Sequence, residues 1–257
     1  IFRVNIMYRV YFIFFLSLLN PEWSCFGLLQ LEMNLATRVS SNLKNFGFKS
    51  DVSRVIDCWR SFSDGKRVRK YLDPEELVLQ EADCYVDGLR AMSFHDLSAP
   101  HYDWVHGLEK NYETIKKELF SYQKKQVAEW LPPRDASGEA YGPEWKTLGL
   151  QDRGVWEDHS RLKYFRKTQK LLIDNDVPCQ EVFFARQGAG SGIAPHTDKN
   201  NFIITCHIAL DVPEGECWLK VGKDKYFWKN GEGVVFDTSI EHSTANEADT
   251  PRHVLLV

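Results

Sequence analysis

Residues 193–215 read IAPHTDKNNFIITCHIALDVPEG, and the second half of this segment has a clear two-residue period. Because successive side chains of a strand point to opposite faces of a sheet, we expect residues 201–210 to form a strand. One face would carry Phe202, Ile204, Cys206, Ile208 and Leu210, and the other Ile203, Thr205, His207 and Ala209. His207 thus shares a face with small or medium side chains, which leaves space beside its imidazole.

Short strands separated by turn signals extend from this segment in both directions. The predicted strands are residues 181–186, 217–221, 225–228, 234–237 and 252–257. A glycine-rich loop is predicted at 187–194, and it is not a dinucleotide-binding turn, because Pro195 and His196 follow where a helix should begin. Many short strands at regular spacing predict a mainly β protein, a jelly roll closed from two antiparallel sheets.

Helical patterns precede the strands. Residues 103–125 and 159–172 have apolar side chains at helical spacing and are expected to flank the sheets. Upstream, Asp73-Pro74-Glu75-Glu76 has the features of a helix start, and the helix is expected to continue to Gly88 or beyond. We therefore predict a helical extension at 28–102 before a main domain at 103–257.

Composition limits the function classes. The 257 residues carry a net charge of −4, so no nucleic-acid partner is expected. Residues 1–27 contain a short apolar run and are interpreted as a possible targeting segment. If so, the protein would enter the secretory pathway and endoplasmic reticulum, or a plastid; otherwise it would be cytoplasmic. Cys206 and Cys217 flank a predicted hairpin and would pair only in an oxidising compartment.

Three separated side chains offer ligands for a metal ion. His196 and Asp198 lie two residues apart, so on a strand they would project from the same face. With His242 they supply two imidazoles and one carboxylate, a set that leaves octahedral positions open and suits non-haem Fe(II). Zinc would more often have a closed or nearly closed tetrahedral shell. We predict an iron site.

Two further residues suit an anionic ligand of that metal. Arg252 can hold a carboxylate through two parallel hydrogen bonds, and His207 can donate to the same group. Their ordinary structural alternatives are a surface ion pair of Arg252 with Glu247 or Asp249, and a hydrogen-bonded core histidine. The other five histidines are interpreted as structural residues: His95, His101, His106, His159 and His253.

In these segments the sequence resembles the aspartyl/asparaginyl β-hydroxylase family of 2-oxoglutarate-dependent oxygenases. The resemblance is carried by residues 193–197, 206–210, 212–215, 231–237 and 239–242, by Arg252, and by an upstream segment at 108–119. It implies a double-stranded β-helix, a cupin-like jelly roll, with Fe(II) and 2-oxoglutarate as cofactors. It further implies His196 and His242 as iron ligands, and Arg252 and His207 as contacts to 2-oxoglutarate.

The implied reaction uses O2, converts 2-oxoglutarate to succinate and CO2, and hydroxylates an unactivated C–H bond, with the β-carbon of protein Asp or Asn as the expected target. The animal enzymes of the family have Gly where Asp198 stands, a hydroxyl where Ala185 stands and an Arg where Thr205 stands. Three alternatives remain open at this point: the same chemistry on a lipid or small molecule, a non-catalytic jelly-roll binding module, and a zinc hydrolase.

Overall fold

Two antiparallel sheets face each other in the computed structural model, which describes residues 51–125, 130–132 and 140–257. The strands are β1 (Val68–Asp73), β2 (Val78–Ala82), β3 (Trp145–Asp152), β4 (Val155–Trp156), β5 (Val182–Gln187), β6 (Ser191–His196), β7 (Ile204–Asp211), β8 (Cys217–Val221), β9 (Asp224–Phe227), β10 (Gly233–Asp237), β11 (His242–Asn246) and β12 (Arg252–Leu256). The helices are α1 (Ser53–Ser63), α2 (Asp103–Glu109), α3 (Tyr112–Lys125), α4 (His159–Leu162) and α5 (Arg166–Asp174).

The strand order confirms the jelly roll. One sheet has the order β10-β7-β12-β5-β3-β4, and the other has the order β6-β11-β8-β9. Strands β5 to β12 therefore contribute four members to each sheet, with the chain crossing between the sheets rather than completing one before the other. This is a double-stranded β-helix, and the hairpin β1–β2 forms a separate two-stranded sheet.

Strand β7 separates two apolar layers, as its alternation predicts. Cys206, Ile208 and Leu210 pack toward the helices, whereas Ala209 packs between the two sheets with residues such as Trp228. The helical layer is built on α3, which contributes the fully buried Ile115 and Leu119. The space between the sheets is where the candidate site lies.

Both predicted flanking helices are interrupted. Residues 103–125 form α2 and α3, and the break is at Asn111, whose side-chain amide donates to the Gly107 carbonyl at 2.8 Å. Asn disfavours helix interiors because its side chain bonds to nearby backbone. Residues 159–172 form α4 and α5, and the carboxylate of Glu118 accepts hydrogen bonds from the Lys167 and Thr168 backbone at the start of α5.

The helix predicted from Asp73 is wrong, and with it the wholly helical character expected of the extension. The Asp73 carboxylate accepts from the N–H groups of Glu75 and Glu76, as a helix cap would. The chain then turns at Leu77, which has φ of 53°, and returns as the buried strand β2. Tertiary burial of Val78 and Leu79 outweighs the local helix signal, since capping contributes only about 1 kcal/mol.

Six of the twelve strands in the described residues were not predicted from the sequence: β1, β2, β3, β4, β6 and β11. Strand β6 begins inside the expected glycine-rich loop, where Gly192 allows the carbonyl of Thr244 on β11 to approach closely. Cys206 and Cys217 are both free thiols in different apolar layers, so the structure does not pair them. The possible targeting segment lies outside the described residues. Within those residues, none of the helices has the length and apolar character needed to cross a membrane.

Candidate active site

Strand pairing brings the two predicted imidazole ligands together. His196 ends β6 and His242 begins β11, and the two residues are direct partners in the antiparallel register. Their ring centroids are 4.3 Å apart. The register shifts between His242 and Thr244, next to Pro195, which has no N–H to donate to a ladder. The irregularity sets which residue of β6 faces His242.

The same hydrogen bond orients each of these imidazoles. The Nδ1 atom of His196 lies 2.9 Å from the Ala194 carbonyl, and Nδ1 of His242 lies 2.9 Å from the Ile240 carbonyl. Because a carbonyl only accepts, Nδ1 is the protonated nitrogen in the neutral form of each ring, and the lone pair of Nε2 is then the one that can bind a metal ion. Burial lowers the pKa of His242, which favours the neutral ring that binds metals.

Asp198 completes the group from a loop. It follows β6 instead of lying on it, so the expectation that His196 and Asp198 share a strand face is wrong in its geometry. The Asp198 N–H donates to the Thr238 carbonyl at 2.9 Å, which holds the loop in place. The carboxylate lies 3.7 Å from Nε2 of His196, and ligand atoms of the three residues lie within 4.8 Å of one another.

Arg252 lies deep between the sheets at the start of β12. It is fully buried, its guanidinium carbon is 3.9 Å from the Trp228 ring centroid, and Trp145 lies on another side at 5.8 Å. All three guanidinium nitrogens lack a hydrogen-bond partner among the described residues. The surface ion pair considered for Arg252 is therefore excluded in this part of the chain. Burial lowers its pKa to about 9, which leaves it cationic at neutral pH.

His207 shares this interior with Arg252. Its ring is nearly parallel to the Trp228 indole at 5.8 Å between centroids, and Phe236 meets it edge-on at 5.0 Å. The Nδ1 atom is buried without a partner among the described residues. Burial, and then the charge of Arg252, lower the pKa of His207 well below its usual value, so the ring is neutral. A neutral imidazole can still donate one hydrogen bond to an anion.

The sequence analysis missed three residues of this cavity. The Trp228 ring is close to both Arg252 and His207, but aromatic residues at strand ends are common and gave no signal. The Tyr141 hydroxyl lies 3.2 Å from Nε2 of His196, yet no motif in the sequence around Tyr141 indicated a site residue. Gln187 is opposite Arg252 in the β5–β12 register, and only the pairing of these strands reveals it.

Fold and site together define a jelly-roll protein with a candidate metal centre of two imidazoles and one carboxylate, next to a buried and unpaired arginine. The model of one family, described as aspartyl/asparaginyl beta-hydroxylase, matches residues 109–257. This match spans more than half of the chain and includes all five candidate site residues. The chain belongs to the aspartyl/asparaginyl beta-hydroxylase family.

Two human relatives illustrate the relationship. The chain is 24% identical over 177 residues to "Aspartyl/asparaginyl beta-hydroxylase", covering 67% of this chain and 23% of that protein. It is 28% identical over 200 residues to "Aspartate beta-hydroxylase domain-containing protein 2", covering 73% of this chain and 52% of that protein. The chain thus spans about half, or less, of the length of these relatives.

Among solved structures, an oxidoreductase of the 2OG-Fe(II) oxygenase family from Burkholderia pseudomallei is similar at 12% identity and a TM-score of 0.39, over 65% of this chain and 93% of that one. Because the similarity is this low, the fold assignment depends on the strand order described above and not on this comparison.

Proposed function

We propose that the protein is an Fe(II)- and 2-oxoglutarate-dependent dioxygenase that hydroxylates an unactivated C–H bond. The observation that carries this proposal is the pairing of a His–Asp–His group with a buried guanidinium that has no anionic partner among the described residues. A metal-ligating group alone would equally suit a hydrolase. The buried, unpaired cation adds a place for an anion beside that group, which a 2-oxoglutarate-dependent enzyme requires for its cosubstrate.

The donor set fits ferrous iron. His196 and His242 present unprotonated Nε2 atoms, and Asp198 adds one carboxylate oxygen. Two nitrogens and one oxygen on one side of an ion leave positions for a cosubstrate and O2, as non-haem Fe(II) requires. Asp198 is partly exposed, with 38% of its side chain accessible, so that side of the group faces the opening of the barrel.

Arg252 and His207 fit the distal carboxylate of 2-oxoglutarate. Leaving a buried charge unpaired costs several kcal/mol, so an anion that binds Arg252 removes a penalty already present in the fold. Trp228 stacks against both side chains and fixes their planes. A dicarboxylate with one end on Arg252 would extend toward the imidazole ligands, because Phe236 packs against both His207 and His242 in the space between the sheets.

Bound Fe(II) would supply the redox chemistry that couples oxidative decarboxylation of 2-oxoglutarate to hydroxylation. The protein contributes placement and exclusion of water. Arg252 and His207 orient the cosubstrate, and the apolar residues around them, such as Leu219 and Val254, keep the inner end of the cavity dry. Hydrogen bonds and charge interactions strengthen in such a low-dielectric environment.

The β-carbon of Asp or Asn in a protein is the proposed target. The description of the family and the names of both relatives support this target. Hydroxylation of a lipid acyl chain or a small molecule is the alternative, because Thr205 and Ala185 differ from the animal enzymes at positions that contact the peptide and the cosubstrate. O2 and 2-oxoglutarate are the proposed small-molecule partners in either case.

Succinate formation tests the class of reaction. Purified protein with Fe(II), 2-oxoglutarate and O2 should release succinate, and His242→Ala should abolish release while the protein stays folded. His159→Ala is the matched control, since His159 is exposed at the start of α4 and should leave release unchanged. Normal succinate release by His242→Ala would refute the proposal. Product mass spectrometry on Asp- or Asn-containing peptides and on lipids then distinguishes the two substrate classes.

A further inference from the structure

The segment that we call the strap, residues 78–86, lies N-terminal to the region matched by the family model. It contacts the loop that carries Asp198 and the loop that leads into His242. It includes strand β2. On its inner side are Val78 and Val86, both buried. The sequence assigns no chemistry to this segment, and the function proposed above does not use it.

The strap first joins the loop that leads into His242. The Glu241 N–H donates to the Leu79 carbonyl at 2.8 Å, and the Glu81 N–H donates to the Ser239 carbonyl at 3.0 Å. The Gln80 side chain, 1% exposed, donates to the Ser239 hydroxyl at 2.8 Å. Three hydrogen bonds thus hold Ser239 and Glu241, two of the three residues directly preceding His242.

The strap then joins the loop that carries Asp198. The N–H groups of Asp83 and Cys84 both donate to the Lys199 carbonyl, at 2.8 and 3.1 Å. Asn201 is buried and bonds Val86 at both ends, accepting from its N–H at 2.8 Å and donating to its carbonyl at 2.9 Å. Lys199 has φ of 62°, an unfavourable conformation for a side chain that such bonds help to hold.

We propose that the strap is a positioning element of the metal centre, with Gln80 and Asn201 as its positioning residues. This inference rests on the proposed function, because it takes the His–Asp–His group to be the metal site. The two loops contact each other through the Asp198 N–H and the Thr238 carbonyl. The strap holds both from the outside, so it fixes Asp198 relative to His242. Partners that orient metal ligands are typically worth about 10–100-fold in metal affinity.

Asn230 offers a matched control for Asn201. It bonds Val212 in the same two-ended manner, accepting from the N–H at 2.9 Å and donating to the carbonyl at 3.0 Å. Val212 and Asn230 belong to the turns after β7 and β9, and the side-chain hydrogen bonds of Asn230 go to Val212 and Glu214, outside both ligand loops. Replacing either Asn by Ala removes such a pair of hydrogen bonds, and Asn230→Ala also removes a bond from its side-chain amide to the Glu214 carboxylate at 3.1 Å. Only Asn201→Ala detaches the Val86 end of the strap from the Asp198 loop.

The experiment measures Co(II) binding to the full chain by titration and by the visible absorption of bound Co(II), with thermal unfolding recorded in parallel. Asn201→Ala should bind Co(II) about tenfold or more weakly and show an altered spectrum, whereas Asn230→Ala should retain wild-type affinity at a similar loss of thermal stability. Gln80→Leu is a milder variant, because Oε1 of Gln80 already lacks a partner among the described residues. Gln80→Leu should also weaken Co(II) binding, and it provides the test if Asn201→Ala does not fold.

Wild-type affinity and spectrum in both Asn201→Ala and Gln80→Leu would overturn the role of the strap while leaving the metal site intact. Equal weakening by Asn230→Ala would also overturn it, since the effect would then follow from general destabilisation. A wild-type protein that binds no Co(II) would instead overturn the proposed metal site, and the positioning role with it.

Discussion

Removing the charge of Arg252 should make the ligand-free protein more stable and abolish its response to 2-oxoglutarate. Burial lowers the pKa of this fully buried guanidinium from 12.5 to about 9. Since a tenfold change in a protonation equilibrium corresponds to about 1.4 kcal/mol, the charged form is destabilised by roughly 5 kcal/mol. Both pKa values lie above 7, so the whole cost is present at neutral pH and is relieved only as the pH rises beyond about 9.

Arg252→Met keeps an unbranched side chain of similar length and removes the charge. It also loses the stacking of the guanidinium on Trp228 at 3.9 Å, which is worth about 2 kcal/mol in a desolvated site. The expected net change is a gain of about 3 kcal/mol in the free energy of unfolding without ligand, or roughly 6–12 °C in Tm for a protein of this size.

Thermal unfolding with and without 2-oxoglutarate, in the presence of Fe(II) and with O2 excluded, is the assay. Ligand at about 100 times its Kd should stabilise the wild-type protein by about 2.7 kcal/mol and leave Arg252→Met unchanged. Arg69→Met is the control, because Arg69 is exposed on β1 and should behave as wild type. A ligand-free Arg252→Met protein that is less stable than wild type and still stabilised by 2-oxoglutarate would refute the assignment.

Three other predictions concern the metal centre, the acid stability and the strand pairing. Asp198→Gly should weaken Fe(II) retention at least about tenfold, measured by metal content after dialysis, since outer partners of ligands alone are worth that much; unchanged retention would show that Asp198 is not a ligand. Burial lowers the pKa of His253 to about 4, so the unfolded chain takes up its proton first and stability falls as the pH drops from about 6.5 to 4, by roughly 3 kcal/mol. Urea unfolding at pH 7 and pH 4 should show that the free energy of unfolding of His253→Phe falls by about this much less than that of the wild-type protein. An equal fall in both proteins would contradict the prediction. Gly192→Ala would place Cβ at 2.6 Å from the Thr244 carbonyl oxygen and should cost about 1–3 kcal/mol by overpacking, whereas Gly142→Ala, with its nearest contact at 3.7 Å, should be tolerated in the same unfolding measurement.

The local sequence was sufficient where its pattern and the tertiary environment agree. The alternation across residues 201–210 predicted the two faces of β7, which covers Ile204–Asp211, because successive side chains of a strand point to opposite sides. Its start was placed three residues too early, since residues 201–203 lie outside the strand. The types of the candidate ligands were likewise readable, since imidazole and carboxylate groups near a glycine-rich turn have few structural uses together. Local signals failed at Asp73, where a helix cap is present but the following residues are buried as a strand.

The amino-acid sequence by itself predicted that this chain forms a jelly roll and indicated which side chains are candidates for binding iron and a carboxylate. Only the tertiary structure decided how they meet: the β6–β11 register places His196 opposite His242, Trp228 stacks on Arg252, and the strap joins the loops of Asp198 and His242. These relations depend on hydrogen bonds between segments far apart in the chain. Strand register and loop contacts of this kind are fixed by the packing of the whole barrel, and no local period encodes them.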